Sequence, residues 1–164
     1  MRLWRITRAV HAPLDGEGAR RYGGRWTPSG FAAVYASATL SLAALERFVH
    51  TDPDLEPDDL VALAIDVPDD VEVQTVEATA LPEHWRAYPA PPELARVGEQ
   101  WMRERTAAVL AVLSAVIPQE RNFVLNPSHP ACARIRPLAP QPFSFDPRMW
   151  RTGARALRGT PPRP

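Results

Sequence analysis

Residues 33–50 read AVYASATLSLAALERFVH and join a strand signal to a helix signal. The first part is a short apolar run around Tyr35. In the second part, four apolar residues recur at helical spacing: Ala38, Leu42, Leu45 and Val49. Ser and Thr lie between the two parts and are common N-cap residues, because their side-chain oxygens accept free backbone N–H groups. The stretch therefore predicts a strand that leads directly into a helix.

Glu46 lies beside this predicted apolar stripe, and its position has two interpretations. A carboxylate at the edge of an apolar face is commonly a solvated flank residue. Alternatively, the strand that carries Tyr35 and the helix that carries Glu46 form two walls of one cleft. A single Tyr in a strand is equally compatible with a place in the core, so residues 33–50 alone leave both interpretations open.

Composition limits the classes of function that the chain can serve. Its 164 residues suit one domain with a single core, and 45% of them are apolar. The net charge is zero, which argues against a nucleic-acid-binding domain, since such domains need a basic excess. Every basic residue is Arg and none is Lys, so Schiff-base and phosphate-loop lysine mechanisms are excluded.

Cysteine and histidine usage gives no sign of a disulfide framework or a metal site. Cys132 is the single cysteine, and the four histidines show no metal-ligand spacing. The first residues contain no apolar run long enough for a signal peptide or a membrane span. We therefore expect a cytoplasmic protein without a bound metal.

A glycine-rich region precedes the central stretch. Five of the eight glycines fall between positions 16 and 30, and Arg20, Arg21 and Arg25 are interleaved with them. Glycine allows close backbone approach to a ligand, and Arg offers a planar fork of donors for phosphate or carboxylate. Residues 22–26 are therefore either an anion cradle or a surface hairpin with solvated arginines.

The remaining patterns predict a mixed α/β (α+β) domain with a central mixed or antiparallel sheet and few helices. A second helix is expected over 94–102, and 107–117 favours a buried strand over a helix because of its Val and Ile content. Further strands are expected at 3–6, 60–67, 71–76, 122–126 and 133–136. The domain is expected to cover 1–150, and the Arg/Pro-rich tail 151–164 to be poorly ordered.

Five ordered motifs resemble the RES domain family, which is named for an Arg, a Glu and a Ser. Those three residues correspond here to Arg25, Glu46 and Ser114. The motifs are GGRW (23–26), VYAS (34–37), LERFVH (45–50), SAVIP (114–118) and NFVLNPSHP (122–130). The family usually has Asn after the first motif, where this chain has Thr27.

The resemblance implies an ADP-ribosyltransferase-like fold and a toxin that consumes NAD+ as a substrate, with inorganic phosphate as an optional co-substrate and no cofactor. The resemblance, together with the chemistry of NAD+, gives the expected catalytic residues as Glu46, Arg25, Tyr35 and Ser114. NAD+ binding is expected from Arg25, Tyr35, Ser114, Gly24 and Asn126. In this reading Glu46 stabilises the ribosyl cation that forms when nicotinamide leaves, and Arg25 holds phosphate. Tyr35 stacks on the nicotinamide ring, and Ser114 contacts the substrate or Glu46.

The resemblance also implies a protein partner, an antitoxin with an Xre-type helix-turn-helix domain that blocks the active site. We place its contact on Arg20, Arg21 and Arg25, and expect a hetero-oligomer with it or a homo-oligomer, with no direct contact to nucleic acid or membrane. Three activities stay open: NAD+ cleavage by hydrolysis or phosphorolysis, transfer of ADP-ribose to a protein, and binding without catalysis.

Overall fold

The computed structural model describes residues 1–150, which form one curved sheet with three helices packed on it. The strands are β1 (Arg2–Arg8), β2 (Val34–Ser37), β3 (Leu60–Asp66), β4 (Val73–Thr75), β5 (Val109–Leu113), β6 (Arg121–Leu125), β7 (Arg136–Pro137) and β8 (Gln141–Pro142). The helices are α1 (Glu17–Tyr22), α2 (Leu40–Phe48) and α3 (Pro92–Glu104). The predicted mixed α+β domain is therefore confirmed.

The sheet order is β4-β5-β6-β2-β1-β3-β7, and β8 also pairs with β3. All pairs are antiparallel except β4 with β5. The longest ladder joins β1 to β3, from Arg2 opposite Asp66 to Arg8 opposite Leu60. In this order β2 pairs with β6 near the middle of the sheet, although the two strands lie far apart in sequence.

The buried strand predicted over 107–117 is β5, and its side chains alternate between two cores. Val109 belongs to one apolar cluster, and Leu110 and Val112 belong to the other. All three are fully buried. Because both faces of β5 are covered, it lacks the polar alternation that a half-exposed strand would show.

Helix α2 begins as predicted, and its buried face differs from the prediction. The Thr39 side chain accepts a hydrogen bond from the backbone N–H of Leu42 at 3.1 Å, so Thr39 is the N-cap. Leu42 and Ala43 are buried, whereas Val49 is 55% exposed and is the C-cap residue. The helix ends one residue before Val49, so the predicted apolar stripe is wrong at that end.

Helix α1 lies inside the glycine-rich region, where no helix was predicted. Gly16 and Gly23 flank it with positive φ angles of 69° and 71°, a conformation that glycine adopts without strain. A tight turn follows, in which Gly24 pairs with Thr27 across an isolated bridge. The region therefore combines a short helix with the hairpin-like turn that was one of the two alternatives.

Helix α3 was predicted from its apolar periodicity, and it packs closely on the glycine-rich turn. Leu94, Gly98, Trp101 and Met102 form its buried face. A Cβ added at Gly98 would overlap the carbonyl oxygen of Trp26. Close packing of α3 thus holds the turn that carries Arg25. No helix among residues 1–150 has both the length and the apolar character needed to cross a bilayer.

Two short strands were placed differently from prediction, and the proline-rich end packs on the domain. The strand expected at 71–76 is limited to β4. Of residues 133–136 only Arg136 lies in a strand, β7, because the 3-10 turn Pro130–Arg134 occupies the first two positions. Proline at the start of that turn lacks the N–H that a strand ladder needs.

Residues after 137 add β8, and three of their aromatic side chains form a cluster with Phe48 of α2, namely Phe143, Phe145 and Trp150. The tail prediction for 151–164 falls outside the described residues.

Candidate active site

A cavity of about 410 Å³ opens between β1, β2, α2 and the glycine-rich turn. Gly24, Arg25, Tyr35 and Glu46, four of the residues named from the sequence, line it. The cleft interpretation of residues 33–50 is thus the one the structure supports, because Tyr35 and Glu46 form walls of one cavity. Its size lies within the usual range for small-molecule sites.

Glu46 is half-buried on α2, and one of its oxygens is held by two hydrogen bonds. Its Oε1 accepts from the Ser114 hydroxyl at 2.7 Å and from the Asn122 amide Nδ2 at 2.5 Å. The Ser37 hydroxyl in turn donates to Asn122 Oδ1 at 2.7 Å, which orients the amide. Fixed donors on Oε1 leave Oε2 as the oxygen available to a ligand.

Ser114 acts on Glu46 rather than on the cavity directly. It is 0% exposed, lies just after β5, and is not among the cavity-lining residues. Its Oγ also accepts from the backbone N–H groups of Val116 and Ile117, at 3.1 and 2.9 Å. Of the two contacts expected for Ser114, substrate or Glu46, the structure shows the second. Its hydrogen-bonding capacity is then used within the protein.

Tyr35 lines the cavity, and residues of the glycine-rich turn hold its hydroxyl by hydrogen bonds. The hydroxyl accepts from the backbone N–H of Trp26 at 3.1 Å and bonds the Thr27 hydroxyl at 2.9 Å. Burial raises the pKa of Tyr35 above its ordinary value, although these hydrogen bonds oppose the rise. Thr27, at the position where the resemblance led us to expect Asn, thus makes a polar contact with Tyr35.

Gly24 lies directly against the Tyr35 side chain. A Cβ at position 24 would come within 2.6 Å of the Tyr35 hydroxyl oxygen. Any larger residue would displace the ring or the turn. Gly24 therefore contributes to the cavity through its lack of a side chain.

Arg25 lines the cavity and also fastens a neighbouring segment. Its Nη1 and Nη2 donate to the carbonyl oxygens of Trp85 and Ala87, at 2.8 and 3.1 Å. Burial lowers the pKa of Arg25, and the negative charge of Glu46 opposes that effect. A guanidinium has five N–H donors, so Arg25 keeps further donors for a ligand.

Arg20 and Arg21, unlike Arg25, do not line the cavity. Both pair with Glu17 on α1, at 2.7 and 2.8 Å. Their hydrogen bonds lower the pKa of Glu17 to about 2. One carboxylate offsets only one of these two positive charges, so Arg20, Arg21 and Glu17 together keep a net positive charge. The antitoxin contact expected at Arg20 and Arg21 therefore stays a prediction.

Asn126 is not brought to the cavity. It lies at the opposite end of β6 from Asn122, about 13 Å away along an extended strand. It is 2% exposed, and its Oδ1 accepts from the backbone N–H of Ser128 at 3.0 Å. The side chain thus stabilises the turn after β6, and the predicted NAD+ contact has no geometric support.

Three polar or charged cavity residues that bear on the chemistry of the site were not singled out from the sequence, namely Asn122, Arg5 and Arg47. Asn122 was noted only as the start of a strand, yet it holds Glu46. Arg5 of β1 and Arg47 of α2 also line the cavity. A charged residue between Leu3 and Ile6 in an apolar strand was the signal for Arg5, and adjacency to Glu46 was the signal for Arg47.

Comparisons with known proteins agree with this architecture. The model of the family described as RES domain matches residues 2–146. A Sphingobium protein named "Prs ADP-ribosylating toxin" is 38% identical over 155 residues, covering 91% of this chain and 96% of the relative. A Yersinia enterocolitica protein named "Toxin Res" is 33% identical over 155 residues, covering 91% and 99%.

A solved structure shows the same fold at lower sequence identity. A chain of the M. tuberculosis MbcT–MbcA toxin–antitoxin complex superposes with a TM-score of 0.70 at 20% identity. The alignment covers 97% of this chain and 89% of that one. Because the family model spans nearly all of the described residues and the curated relatives match along almost their whole length, the chain belongs to the RES domain family of toxins.

Proposed function

We propose that this protein is a toxin enzyme that binds NAD+ in the cavity and cleaves the bond between nicotinamide and ribose. The observation that carries the proposal is the fixed carboxylate of Glu46. Two donors hold Oε1 in a half-buried cavity wall, and Oε2 is left for a ligand. Such a preorganised negative charge suits a reaction in which positive charge develops.

The chemistry follows from the substrate. When the glycosidic bond breaks, its electron pair leaves with nicotinamide, whose ring nitrogen becomes neutral. The ribosyl carbon becomes an oxocarbenium-like centre, which a nearby carboxylate stabilises. Water, inorganic phosphate or a side chain of another protein then supplies the electron pair of the new bond and loses a proton.

The other cavity residues support binding and orientation. The Tyr35 ring is held in place by Trp26 and Thr27, which suits stacking on the flat nicotinamide ring. Arg25 offers donors near the negative charge of Glu46, on the turn that Gly24 makes compact. In this proposal Ser114 and Asn122 are positioning residues, because they act through Glu46.

Transfer of ADP-ribose to a protein is the second candidate. It is favoured by one observation, the 38% identical relative named "Prs ADP-ribosylating toxin". Bond cleavage is the same in both candidates, and only the acceptor differs. Binding without catalysis is less favoured, because Arg25, Tyr35, Glu46 and Ser114 are all present and two donors hold Glu46 Oε1.

An antitoxin partner is part of the proposal. The structural neighbour is a toxin bound in a toxin–antitoxin complex, and Xre-type antitoxins are expected from the family. We place the contact at the mouth of the cavity near Arg25, since Arg25 lines the cavity and Arg20 and Arg21 do not. A partner bound there competes with NAD+, and its association slows as salt is added.

The test is release of nicotinamide from NAD+ by purified protein, with and without inorganic phosphate and with candidate acceptor proteins. Release without either addition indicates hydrolysis, and release that requires phosphate indicates phosphorolysis. Mass added to a protein indicates ADP-ribosyl transfer. No nicotinamide release under any of these conditions would contradict the proposed function, while NAD+ binding without release would indicate a binding module.

A further inference from the structure

Most arginines among residues 1–150 have a partner within the protein. Arg2, Arg8, Arg103, Arg121, Arg134 and Arg148 pair with carboxylates, as do Arg20 and Arg21. Arg25, Arg86 and Arg105 donate to backbone carbonyls. Against this background the cavity residues Arg5 and Arg47 stand out.

Arg5 is half-buried in β1 and lines the cavity without a hydrogen-bonded partner in the described chain. Burial lowers its pKa, and the negative charge of Asp15 opposes that effect. Leu3 and Ile6 of the same strand are buried, so the strand cannot move the side chain freely into water. A guanidinium in such surroundings is stabilised when an anion binds to it.

Arg47 gives an independent observation on the α2 side of the same cavity. Its Nε is buried and has no hydrogen-bond partner within residues 1–150. Buried N–H donors without a partner are rare in folded proteins and raise the free energy of the folded state. Because Arg47 follows Glu46 directly on α2 and lines the cavity, a ligand can reach both residues.

The charge of the cavity matches a doubly charged anion. Its charged lining residues, with histidine neutral, are Arg5, Arg25, Arg47 and Glu46, a formal excess of two positive charges. Arg25 already gives two N–H groups to carbonyl oxygens, whereas Arg5 gives none. The planar forks of Arg5 and Arg47 are suited to bidentate contacts with phosphate oxygens.

We propose that Arg5 and Arg47 form the principal phosphate-binding subsite of the cavity, the role that sequence reasoning gave to Arg25. The shared ligand chemistry is a phosphate oxyanion. Its source, which rests on the proposed function, is the pyrophosphate of the dinucleotide or inorganic phosphate that attacks the ribosyl centre. Arg25 then serves chiefly to hold the Trp85–Ala87 carbonyls beside the site.

The test is calorimetric binding to the whole protein of three ligands, namely ADP-ribose, inorganic pyrophosphate and inorganic phosphate. The variants are Arg5→Gln and Arg47→Gln, and the matched controls are Arg96→Gln and Arg136→Gln. Both control arginines are exposed and lie outside the cavity, and each control removes the same charge. Circular dichroism checks that each variant is folded, and Arg5→Lys replaces Arg5→Gln if the latter is not.

We expect each cavity variant to weaken ADP-ribose binding by about tenfold to a hundredfold, the usual range for a lost charge-assisted contact, and the controls by less than about twofold. Equal losses for ADP-ribose and pyrophosphate identify the dinucleotide pyrophosphate as the ligand. A loss confined to inorganic phosphate identifies the co-substrate.

Cavity variants that bind all three ligands as tightly as the controls would overturn the inference, as would wild-type protein that binds none of them. These measurements do not involve turnover. A protein that binds pyrophosphate through Arg5 and Arg47 but releases no nicotinamide would therefore contradict the proposed function and leave the subsite standing.

Discussion

The Ser114 hydroxyl donates to Glu46 Oε1 at 2.7 Å across 68 residues of sequence. Asn122, from the neighbouring strand, donates to the same oxygen. Two elements of the sheet thereby orient a carboxylate that belongs to a helix. A carboxylate held in this way needs little reorganisation when positive charge develops beside it, as the proposed reaction requires.

Glu46→Gln should abolish most turnover and preserve the fold. The amide keeps the shape of the side chain and loses the charge that, in the proposed reaction, stabilises a ribosyl cation, so nicotinamide release should fall by about 10² or more. Glu93→Gln on α3, at an exposed position, is the matched control and should retain activity. Near-normal nicotinamide release by Glu46→Gln would show that Glu46 is only a residue beside the apolar face of α2, without a part in the reaction.

Asn122→Ala and Ser114→Ala should each reduce kcat more than they raise KM, because both residues act through Glu46. A loss of about tenfold is expected when one orienting hydrogen bond is removed. Adding either substitution to Glu46→Gln should cost little more, since residues that act as a unit are not additive. Fully additive losses in that double-mutant cycle would show that Asn122 and Ser114 affect activity by another route.

Arg25→Lys should loosen the segment near Trp85 although the charge is kept. A single ammonium cannot reproduce the two fixed bonds to the carbonyl oxygens of Trp85 and Ala87. Trypsin should then cleave more rapidly after Arg86, as followed by mass spectrometry, while cleavage after the exposed Arg148 serves as the internal control. Unchanged cleavage after Arg86 would mean that Arg25 does not restrain the segment.

Gly98→Ala should destabilise the protein by about 1–3 kcal/mol or more, because a methyl group there overlaps the carbonyl of Trp26. Gly18→Ala on α1 is the matched control, since its added methyl group meets nothing within 4 Å. That control should be neutral or stabilise by about 0.4–1 kcal/mol. Urea unfolding followed by tryptophan fluorescence measures both, and equal effects would contradict the close packing of α3.

Tyr35 should make stability sensitive to alkaline pH. Burial raises the pKa of Tyr35 from its ordinary value of 10.0, so its neutral form is favoured in the folded state. This contribution is present below about pH 10 and is lost as the pH rises through the higher folded-state pKa. The free energy of unfolding of wild type should therefore fall more steeply above pH 10 than that of Tyr35→Phe. Tyr88→Phe, 84% exposed, is the control and should follow wild type.

The sequence predicted most of the strands and helices, and four of the site residues named from it line the cavity, namely Gly24, Arg25, Tyr35 and Glu46. β1, β3, β5, β6, α2 and α3 follow from local hydrophobic period and from N-cap and proline signals. Helix α1 was missed because glycine lowers helix propensity, and here contacts with the rest of the domain hold it. The sequence placed Arg20, Arg21 and Arg25 together, whereas only Arg25 lines the cavity, because α1 pairs the other two with Glu17.

By itself the sequence determined the family, the mixed α+β class and the presence of Tyr35 and Glu46 on consecutive elements, because these depend on residue order over short distances. Only the tertiary structure decided that Ser114 contacts Glu46 rather than the cavity, that Asn122 joins it, and which arginines within residues 1–150 lack a partner. The partners of Glu46 come from β6 and the end of β5, and Arg5 comes from β1. Their meeting depends on strand order and on burial, and no local pattern records either property.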